Sequence, residues 1–198
     1  GVLVPVTITV RVILQNLWKL KYDWDVPLGD DLQKDWGTVL KKLDDLKNVE
    51  IPRWIVKSSV VSLHLFSDSS RDIYGSCAYI VDNNSSNLLM AKARVAPIKA
   101  LTIPKLELLS ALLSSRLVTF ILNTYKLELK FESIHLWIDN QAVLSWLISS
   151  NESKNLFIRN RIQEIKTKVP FAHFHYISTD STPADLITKF GINDINNC

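Results

Sequence analysis

The chain has 198 residues, of which 47% are hydrophobic and 22% charged, so its composition is that of a globular protein with one domain and an attached subdomain. Two cysteines are too few for a disulfide-stabilised fold, and they have no zinc-ligand spacing with the four histidines. No apolar run reaches the roughly 18 residues of a membrane span, so we expect a soluble intracellular protein without a membrane partner.

Basic and acidic residues are distributed unevenly along the chain. Residues 1–55 hold eight Lys or Arg and eight Asp or Glu, whereas residues 56–190 hold fifteen and eleven. This shift predicts a connector over 1–55, a main domain over 56–191 and a tail over 192–198. The positive excess of the main domain suits a phosphate backbone, and a solvated basic face is the alternative explanation. Because the chain begins with Gly1 rather than Met, we expect a piece of a longer polypeptide.

The first part of the chain shows helical periodicity. In DDLQKDWGTVLKKLDDLKNV, apolar residues recur at spacings of three and four, which predicts an amphipathic helix. The preceding VPVTITVRVILQNLWKL is rich in β-branched residues but also places apolar residues on one helical stripe, so strand and helix both remain open. This part contains no candidate catalytic residues. We therefore expect a mainly helical connector.

From residue 60 onward, the pattern predicts the order β-β-β-α-β-α-α-β-α, which is typical of a mixed α/β fold. Three strands come first, in SVVSLHLFSD, YGSCAYIVD and NLLMAKARVA, and their short connections predict an antiparallel meander. A long helix begins near Pro104, and a fourth strand follows in SIHLWID. The remaining elements are the helices NQAVLSWLIS and NLFIRNRIQEIKTK, the strand FAHFHYIS and the helix TPADLITKF. A helical crossover predicts that strand four lies parallel to strand one, in a five-stranded mixed sheet flanked by helices.

Acidic side chains stand at the ends of two strands and on two helices of this predicted fold. Asp68 ends strand one and Asp139 ends strand four, and the carboxyl ends of neighbouring parallel strands lie at one edge of a sheet. Glu107 lies on the long helix and Asp185 on the last helix. Clustered carboxylates repel one another unless a cation neutralises them. Because all four ligands are oxygen donors, the cation that fits is Mg²⁺ or Mn²⁺.

Each acid also has a purely structural explanation. Asp68 and Asp139 are suited to cap the turn or helix that follows them, and Glu107 is suited to stabilise the start of its helix. Asp185 matches a capping box that begins at Thr182. Glu107 is the most informative of the four, because its helix is apolar on nearly every side and its own face carries small residues that allow a close approach to the sheet.

Several sequence blocks together resemble a known family. The blocks are FSDSS, AKARVAPIKALTIPKLELLSALLSSRL, WIDNQAVLSWL and TPADLITKF. Their order resembles the ribonuclease H fold, and the blocks themselves are similar to the ribonuclease H region of BEL/Pao-type LTR retrotransposon polyproteins. The resemblance covers residues 60–191. The earlier PVTITVRVILQNLWKLKYDWD and IPRW resemble the connection that follows the reverse transcriptase in the same polyproteins.

The resemblance implies endonucleolytic hydrolysis of the RNA strand of RNA/DNA hybrids during retrotransposon reverse transcription. It implies two Mg²⁺ ions, with Mn²⁺ as a substitute, and no small-molecule cofactor. Asp68 would bridge both ions, Glu107 and Asp139 would bind one, and Asp185 would bind the other. Many ribonucleases H carry a mobile histidine before the last Asp, and Tyr176, next to His175, stands at that position here.

The resemblance also implies partners and a location. Basic residues would hold the backbone of the hybrid: Lys92, Arg94, Lys99, Lys105, Arg159 and Arg161. Reverse-transcriptase and integrase domains of the same polyprotein would flank the chain, and the expected location is the cytoplasm, within a virus-like particle. The alternative is a catalytically silent nucleic-acid-binding or structural module of a degenerate or host-adopted polyprotein.

Overall fold

The computed structural model describes residues 3–45, 59–83, 85–149 and 153–189. The helices in these ranges are α1 (Val4–Lys19), α2 (Asp30–Asp45), α3 (Ile103–Tyr125), α4 (Gln141–Ile148), α5 (Leu156–Lys168) and α6 (Asp185–Thr188). The strands are β1 (Val60–Ser69), β2 (Ile73–Val81), β3 (Ser86–Val95), β4 (Lys130–Ile138) and β5 (His173–Tyr176). The boundary predicted near residue 55 and the tail predicted over 192–198 lie outside the described residues.

The strands form one five-stranded sheet in the order β3-β2-β1-β4-β5. β2 pairs antiparallel with both β1 and β3, because the connections between these strands are too short for a crossover. β4 pairs parallel with β1 after the crossover through α3, and β5 pairs parallel with β4. The predicted order of elements, the meander and the position of strand four beside strand one are therefore confirmed.

Helix α3 packs across one face of the sheet and forms the main core. Its buried Leu108 and Ala111 belong to the same apolar cluster as Leu65 of β1 and Leu136 of β4, and α4 and α5 complete that cluster. Each fully buried leucine contributes about 1.5–3 kcal/mol relative to an exposed one. By length and composition α3 would also pass for a membrane span, but 72% of its apolar window is buried, as in the core helix of a globular fold.

The segment VPVTITVRVILQNLWKL, for which the sequence allowed either a strand or a helix, forms helix α1 despite its β-branched residues. It starts with a proline in the first turn, where the missing N–H costs no hydrogen bond. Its buried Ile8 packs with Ala91 and Ala93 of β3 on the face of the sheet opposite α3. Gln15 donates a hydrogen bond of 2.7 Å from Nε2 to the carbonyl oxygen of Ala96. The first part of the predicted connector therefore packs directly on the sheet.

The closing helix is shorter than predicted, because α6 holds only four residues. The expected capping box does not form: Ala184 precedes the helix, and the hydroxyl oxygen of Thr182 is buried without a partner among the described residues. The helix lies against β2 at Gly75, where a Cβ atom would stand 2.6 Å from Cγ2 of Ile187. This close approach brings the residues of α6 to the carboxyl end of β1.

Candidate active site

Three carboxylates from three different elements meet at the carboxyl edge of the sheet. Asp68 lies in β1, Asp139 directly follows β4, and Glu107 lies in the second turn of α3. One carboxylate oxygen from each residue lies within 4.8 Å of the other two. The parallel pairing of β1 and β4 brings Asp68 close to Asp139, and the crossover helix α3 adds Glu107. The structure thus brings together three of the four acids that the sequence singled out.

Asp68 is buried, with only 5% of its surface exposed. Thr188, in the last turn of α6, donates its hydroxyl hydrogen to Asp68 Oδ2. The pKa of Asp68 is raised to about 6, mainly by burial and further by the charges of Asp139 and Asp185, although the hydrogen bond from Thr188 lowers it. A divalent cation would stabilise the deprotonated form of this buried carboxylate beside its two acidic neighbours.

Glu107 is buried to the same degree, with 4% of its surface exposed. Ser69 donates two hydrogen bonds to Glu107 Oε1, one of 3.2 Å from its backbone N–H and one of 2.7 Å from its hydroxyl. The expected close approach of α3 to the sheet is also present, because Ser114 and Ser76 are buried and their hydroxyls are 2.7 Å apart. Burial, followed by the charge of Asp139, raises the pKa of Glu107 to about 8.

Asp139 has one carboxylate oxygen without a hydrogen-bond partner in the part of the chain that the structure describes. Its Oδ2 accepts a hydrogen bond of 3.2 Å from the hydroxyl of Thr179, whereas its buried Oδ1 has no hydrogen-bond partner among the described residues. Asn140, and not Asp139, caps α4 by accepting from the N–H of Val143 at 3.2 Å. Burial raises the pKa of Asp139, and the charge of Asp185 adds to this effect.

This oxygen cluster fits a hard divalent cation. The three ligands are carboxylates, and no imidazole or thiolate is among them. Asp139 Oδ1 is buried and receives no hydrogen bond from any described residue. Mg²⁺ and Mn²⁺ prefer such ligands, and either ion would supply the positive charge that the buried acids lack. The helix-capping alternative for Asp139 does not apply, because Asn140 caps α4.

Asp185 stands beside this group but outside it. Its Oδ2 lies 2.5 Å from Nζ of Lys189, one helical turn later. Asp185 is still close enough to raise the pKa of both Asp68 and Asp139. The fourth acid is therefore a neighbour of the cluster, and Lys189 already balances the charge of Asp185.

Two of the basic residues expected to hold nucleic acid meet where α3 begins. Nζ of Lys105 lies 5.6 Å from the centre of the Phe157 ring, and the guanidinium carbon of Arg161 lies 3.4 Å from the same centre. Arg161 also donates a hydrogen bond of 2.9 Å to the carbonyl oxygen of Phe157. Arg161 therefore packs within the contact between α3 and α5, while Lys105 stands at its edge.

The other four candidates are exposed. Lys92 and Arg94 alternate with buried residues along β3, and Lys99 lies in the connection to α3. Arg159 lies on α5, at a site open to solvent. Of the residues near the mobile-histidine position, Tyr176 is 47% exposed at the end of β5, and His175 lies in the sheet against Trp137.

Sequence reasoning missed the hydroxyl groups that hold the acids. Thr188, Ser69 and Thr179 each donate a hydrogen bond to one carboxylate of the cluster. The only available signal was their position: Ser69 directly follows the first acid, and Thr188 follows Asp185 by three residues. Such positions hold Ser and Thr in many proteins for other reasons, so the pattern alone is not specific.

Two solved structures illustrate the similarity in fold. The foamy viral protease-reverse transcriptase, solved in complex with double-stranded DNA, is 13% identical with a TM-score of 0.54, and the match covers 84% of this chain and 33% of that protein. LC11-RNase H1, isolated from compost by a metagenomic approach, is 13% identical with a TM-score of 0.50, and the match covers 68% of this chain and 96% of that protein. At 13% sequence identity, the similarity to these two structures establishes the fold alone. No curated protein sequence matches the chain.

A family model establishes the wider relationship. The model described as "Pao retrotransposon-like RNaseH-like domain" matches residues 1–140, more than half of the chain. The match includes α1 and α2 as well as the strands and the helix that carry Asp68, Glu107 and Asp139. The resemblance found in the sequence is thereby confirmed, and the chain belongs to the Pao retrotransposon-like RNaseH-like domain family.

Proposed function

We propose that the chain is a ribonuclease H that cuts the RNA strand of RNA/DNA hybrids during retrotransposon reverse transcription. The observation that carries the proposal is the cluster of Asp68, Glu107 and Asp139, whose ligand oxygens lie within 4.8 Å of one another. Membership of an RNaseH-like family and the ribonuclease H fold support the same reaction class. An arrangement of buried acids without a cation would be costly, so its presence favours a metal-dependent role.

The family resemblance implies a role for each acid. Asp68 would contact both ions, Glu107 and Asp139 would bind one of them, and Asp185, which stands outside the cluster, would bind the other. Two divalent ions, when bound, supply activation of the attacking water and stabilisation of the leaving 3′ oxygen. Ser69, Thr179 and Thr188 hold the carboxylates in place, so little reorganisation is required when the ions bind.

Exposed basic residues are available for the phosphate backbone of the hybrid. Lys92, Arg94, Lys99 and Arg159 are open to solvent. Lys105 is half-buried near the start of α3, two residues before Glu107. Proteins recognise A-form-like helices mainly by shape, phosphates and 2′-hydroxyls. Cleavage is therefore expected to be largely independent of base sequence, and Arg161, which is committed to Phe157, is expected to contribute least.

The proposed setting is the polyprotein of the element. Reverse-transcriptase and integrase domains would flank the chain. Cleavage of the hybrid would take place in the cytoplasm, within a virus-like particle. The match to a third of the foamy viral protease-reverse transcriptase supports the association with a polymerase.

A second candidate is a module that binds the hybrid without cutting it. The ion pair between Asp185 and Lys189 favours this alternative, because the lysine already balances the charge of the fourth acid. Under this alternative the chain binds hybrids in the presence of metal but leaves them intact.

A cleavage assay decides between the two. A hybrid labelled on the RNA strand is incubated with the chain in Mg²⁺ or Mn²⁺, beside the variants Asp68→Asn and Glu128→Gln. Glu128 is an exposed acid after the far end of α3, so its variant controls for the loss of one charge. Cutting by the wild type and by Glu128→Gln, lost in Asp68→Asn, supports the enzyme. If the chain binds the hybrid but none of the three proteins cuts it in either metal, the result supports the silent module.

A further inference from the structure

All four histidines of the chain lie on the face of the sheet opposite α3, in a group that we name the imidazole face: His64, His135, His173 and His175. His64 pairs in register with His135, and His135 pairs with His173. Side chains alternate along a strand, so His135 points away from the core that its neighbours Ile134 and Leu136 form with α3. His175 follows His173 by two residues and therefore shares its face.

Hydrogen bonds assign His64 a purely structural role. The indole nitrogen of Trp137 can only donate, and it lies 3.1 Å from His64 Nδ1. His64 therefore accepts at Nδ1 and carries its proton on Nε2, which lies 3.2 Å from the hydroxyl oxygen of Ser62. Both ring nitrogens are occupied, so His64 has no lone pair to offer to a ligand.

His135 and His175 are arranged differently, because two of their nitrogens face each other. Nδ1 of His135 lies 2.9 Å from Nε2 of His175. Nε2 of His135 lies 3.0 Å from the hydroxyl oxygen of Ser133, and when it donates to that oxygen its Nδ1 keeps a lone pair on the side of His175. A ring nitrogen held by a second hydrogen bond is the usual arrangement of a metal-binding histidine.

We propose that His135, His173 and His175 form a binding site for one late first-row divalent metal ion, for which Zn²⁺ is the probe. Imidazole ligands suit Zn²⁺, Cu²⁺ and Ni²⁺ rather than Mg²⁺, so the site differs in chemistry from the acid cluster. Two nitrogens that share a tetrahedral Zn²⁺ stand about 3.3 Å apart, so the pair must open by a few tenths of an ångström and each ring must turn by roughly 35° to aim its lone pair at the ion. The proton that His175 Nε2 donates to His135 must also move to Nδ1 of His175, which the neutral imidazole allows by changing tautomer.

His173 supplies the third ligand from a neighbouring position. Its ring centre lies 5.3 Å from that of His135 and 6.4 Å from that of His175, and its side chain is exposed and able to rotate. Without metal the three rings do not converge, since within the described ranges only the acid cluster brings three ligand atoms within 4.8 Å. Three histidines with water in the fourth position form an open tetrahedral site.

The metal would join the edge strand to the rest of the sheet. β5 has four residues and pairs only with β4 among the described strands, and the proposed ligands lie on these two strands. The ring of His175 stacks on Trp137, with centres 4.5 Å apart, and Trp137 precedes Asp139 by two residues. Binding at the imidazole face is therefore expected to stabilise the strand that leads to the candidate active site.

The test begins with the metal itself. The chain is purified without a polyhistidine tag, stripped with a chelator and titrated with ZnCl₂ by calorimetry in excess Mg²⁺. The expected result is one Zn²⁺ per chain and a rise in the thermal midpoint. Co²⁺ in its place is expected to give the intense visible absorption of tetrahedral nitrogen coordination, which an octahedral oxygen site lacks.

Variants then assign the ligands. His175→Asn and His173→Gln are each expected to weaken Zn²⁺ binding by about tenfold or more, and Ser133→Ala by about tenfold. His64→Gln is the matched control, because it removes an imidazole of the same face whose nitrogens are already occupied, and its Zn²⁺ affinity should equal that of the wild type.

Unchanged Zn²⁺ affinity in both His173→Gln and His175→Asn would overturn the proposal. So would loss of binding in Asp139→Asn alone, since Zn²⁺ would then occupy the acid cluster. Circular dichroism establishes that each variant is folded. If His175→Asn does not fold, His173→Gln decides the question, because His173 is exposed on the edge strand.

Discussion

Thr188 donates its hydroxyl hydrogen to Asp68 Oδ2 across 120 residues of sequence, and this bond joins the last described helix to the end of the first strand. Both groups are buried. A hydrogen bond to a charged group is worth about 1.5–3 kcal/mol, and a buried carboxylate that loses it keeps its desolvation cost. Thr188 is thus a positioning residue for the acid at the centre of the candidate site.

We expect Thr188→Val to lower the hybrid-cleaving rate by roughly tenfold or more and the free energy of unfolding by about 1–3 kcal/mol, because Asp68 loses its donor. The rate is measured on a labelled hybrid at saturating Mg²⁺, and the free energy by urea unfolding. Thr188→Ser keeps the hydroxyl and is the matched control. Equal losses in the valine and serine variants would show that the methyl packing of Thr188, and not its hydrogen bond, matters.

The buried acids also predict how stability depends on pH in the absence of metal. The folded pKa of Asp68 is about 6 against 3.8 for the ordinary group, and that of Glu107 is about 8 against 4.5. The folded protein therefore binds more protons than the unfolded chain between these values. The stability that protonation confers is fully present below about pH 4 and is lost as the pH rises to about 8.

Urea unfolding at a series of pH values measures this effect. In a chelator, we expect the free energy of unfolding to fall between pH 4.5 and pH 8, with a smaller slope in Glu107→Gln. Excess Mg²⁺ should stabilise the protein more at pH 8 than at pH 5, because the ion binds the deprotonated carboxylates. A metal-free stability that rises with pH over this range would contradict the cluster as described.

A third prediction concerns the ion pair beside the cluster. Lys189 balances Asp185, so its removal should free the fourth acid for a cation. We expect Lys189→Met to lower the Mg²⁺ concentration for half-maximal cleavage, by no more than about fivefold because exposed ion pairs are weak. Lys189→Arg, which keeps the charge, should behave as the wild type. A higher Mg²⁺ requirement in the methionine variant would instead mean that Lys189 assists the reaction.

The acids could be predicted from the sequence, because strand ends and helix faces are local features. Asp68 stands near the end of one readable strand and Asp139 directly follows another, and the parallel crossover places such strand ends together. Glu107 was conspicuous because a charge on an apolar helix has few explanations. Because these signals are local, the sequence could place three of the acids where the structure brings them together.

The remaining features depend on contacts that no local pattern encodes. The segment that forms α1 is rich in β-branched residues, which favour a strand, and also has an apolar stripe at helical spacing. Its packing on β3 favours the helix. The bond from Thr179 to Asp139 requires the 3₁₀ turn at Thr179–Ser181 to reach the end of β4. The hydroxyl of Thr182 has no partner among the described residues, so a correct capping pattern does not ensure that the cap forms.

The close contact between β2 and α6 provides a last prediction. Gly75 pairs with Asp68 across the strands, and a Cβ atom at Gly75 would stand 2.6 Å from Cγ2 of the buried Ile187 and 3.3 Å from the carbonyl oxygen of Lys92. A branched side chain and a backbone oxygen cannot move easily, so Gly75→Ala must push α6 outward. We expect a loss of about 1–3 kcal/mol in unfolding free energy, as for other overpacked sites.

The same change is expected to lower the hybrid-cleaving rate, because α6 carries Thr188 and Asp185 to the cluster. Gly37→Ala is the matched control: apart from its chain neighbours and the backbone of its own helix, no atom of the described residues lies within 4 Å of the added Cβ. Alanine in a helix should stabilise the chain by up to about 1 kcal/mol. Urea unfolding and the cleavage assay are measured for both variants. If Gly75→Ala unfolds at the wild-type urea concentration and cuts at the wild-type rate, α6 does not depend on this contact for its position.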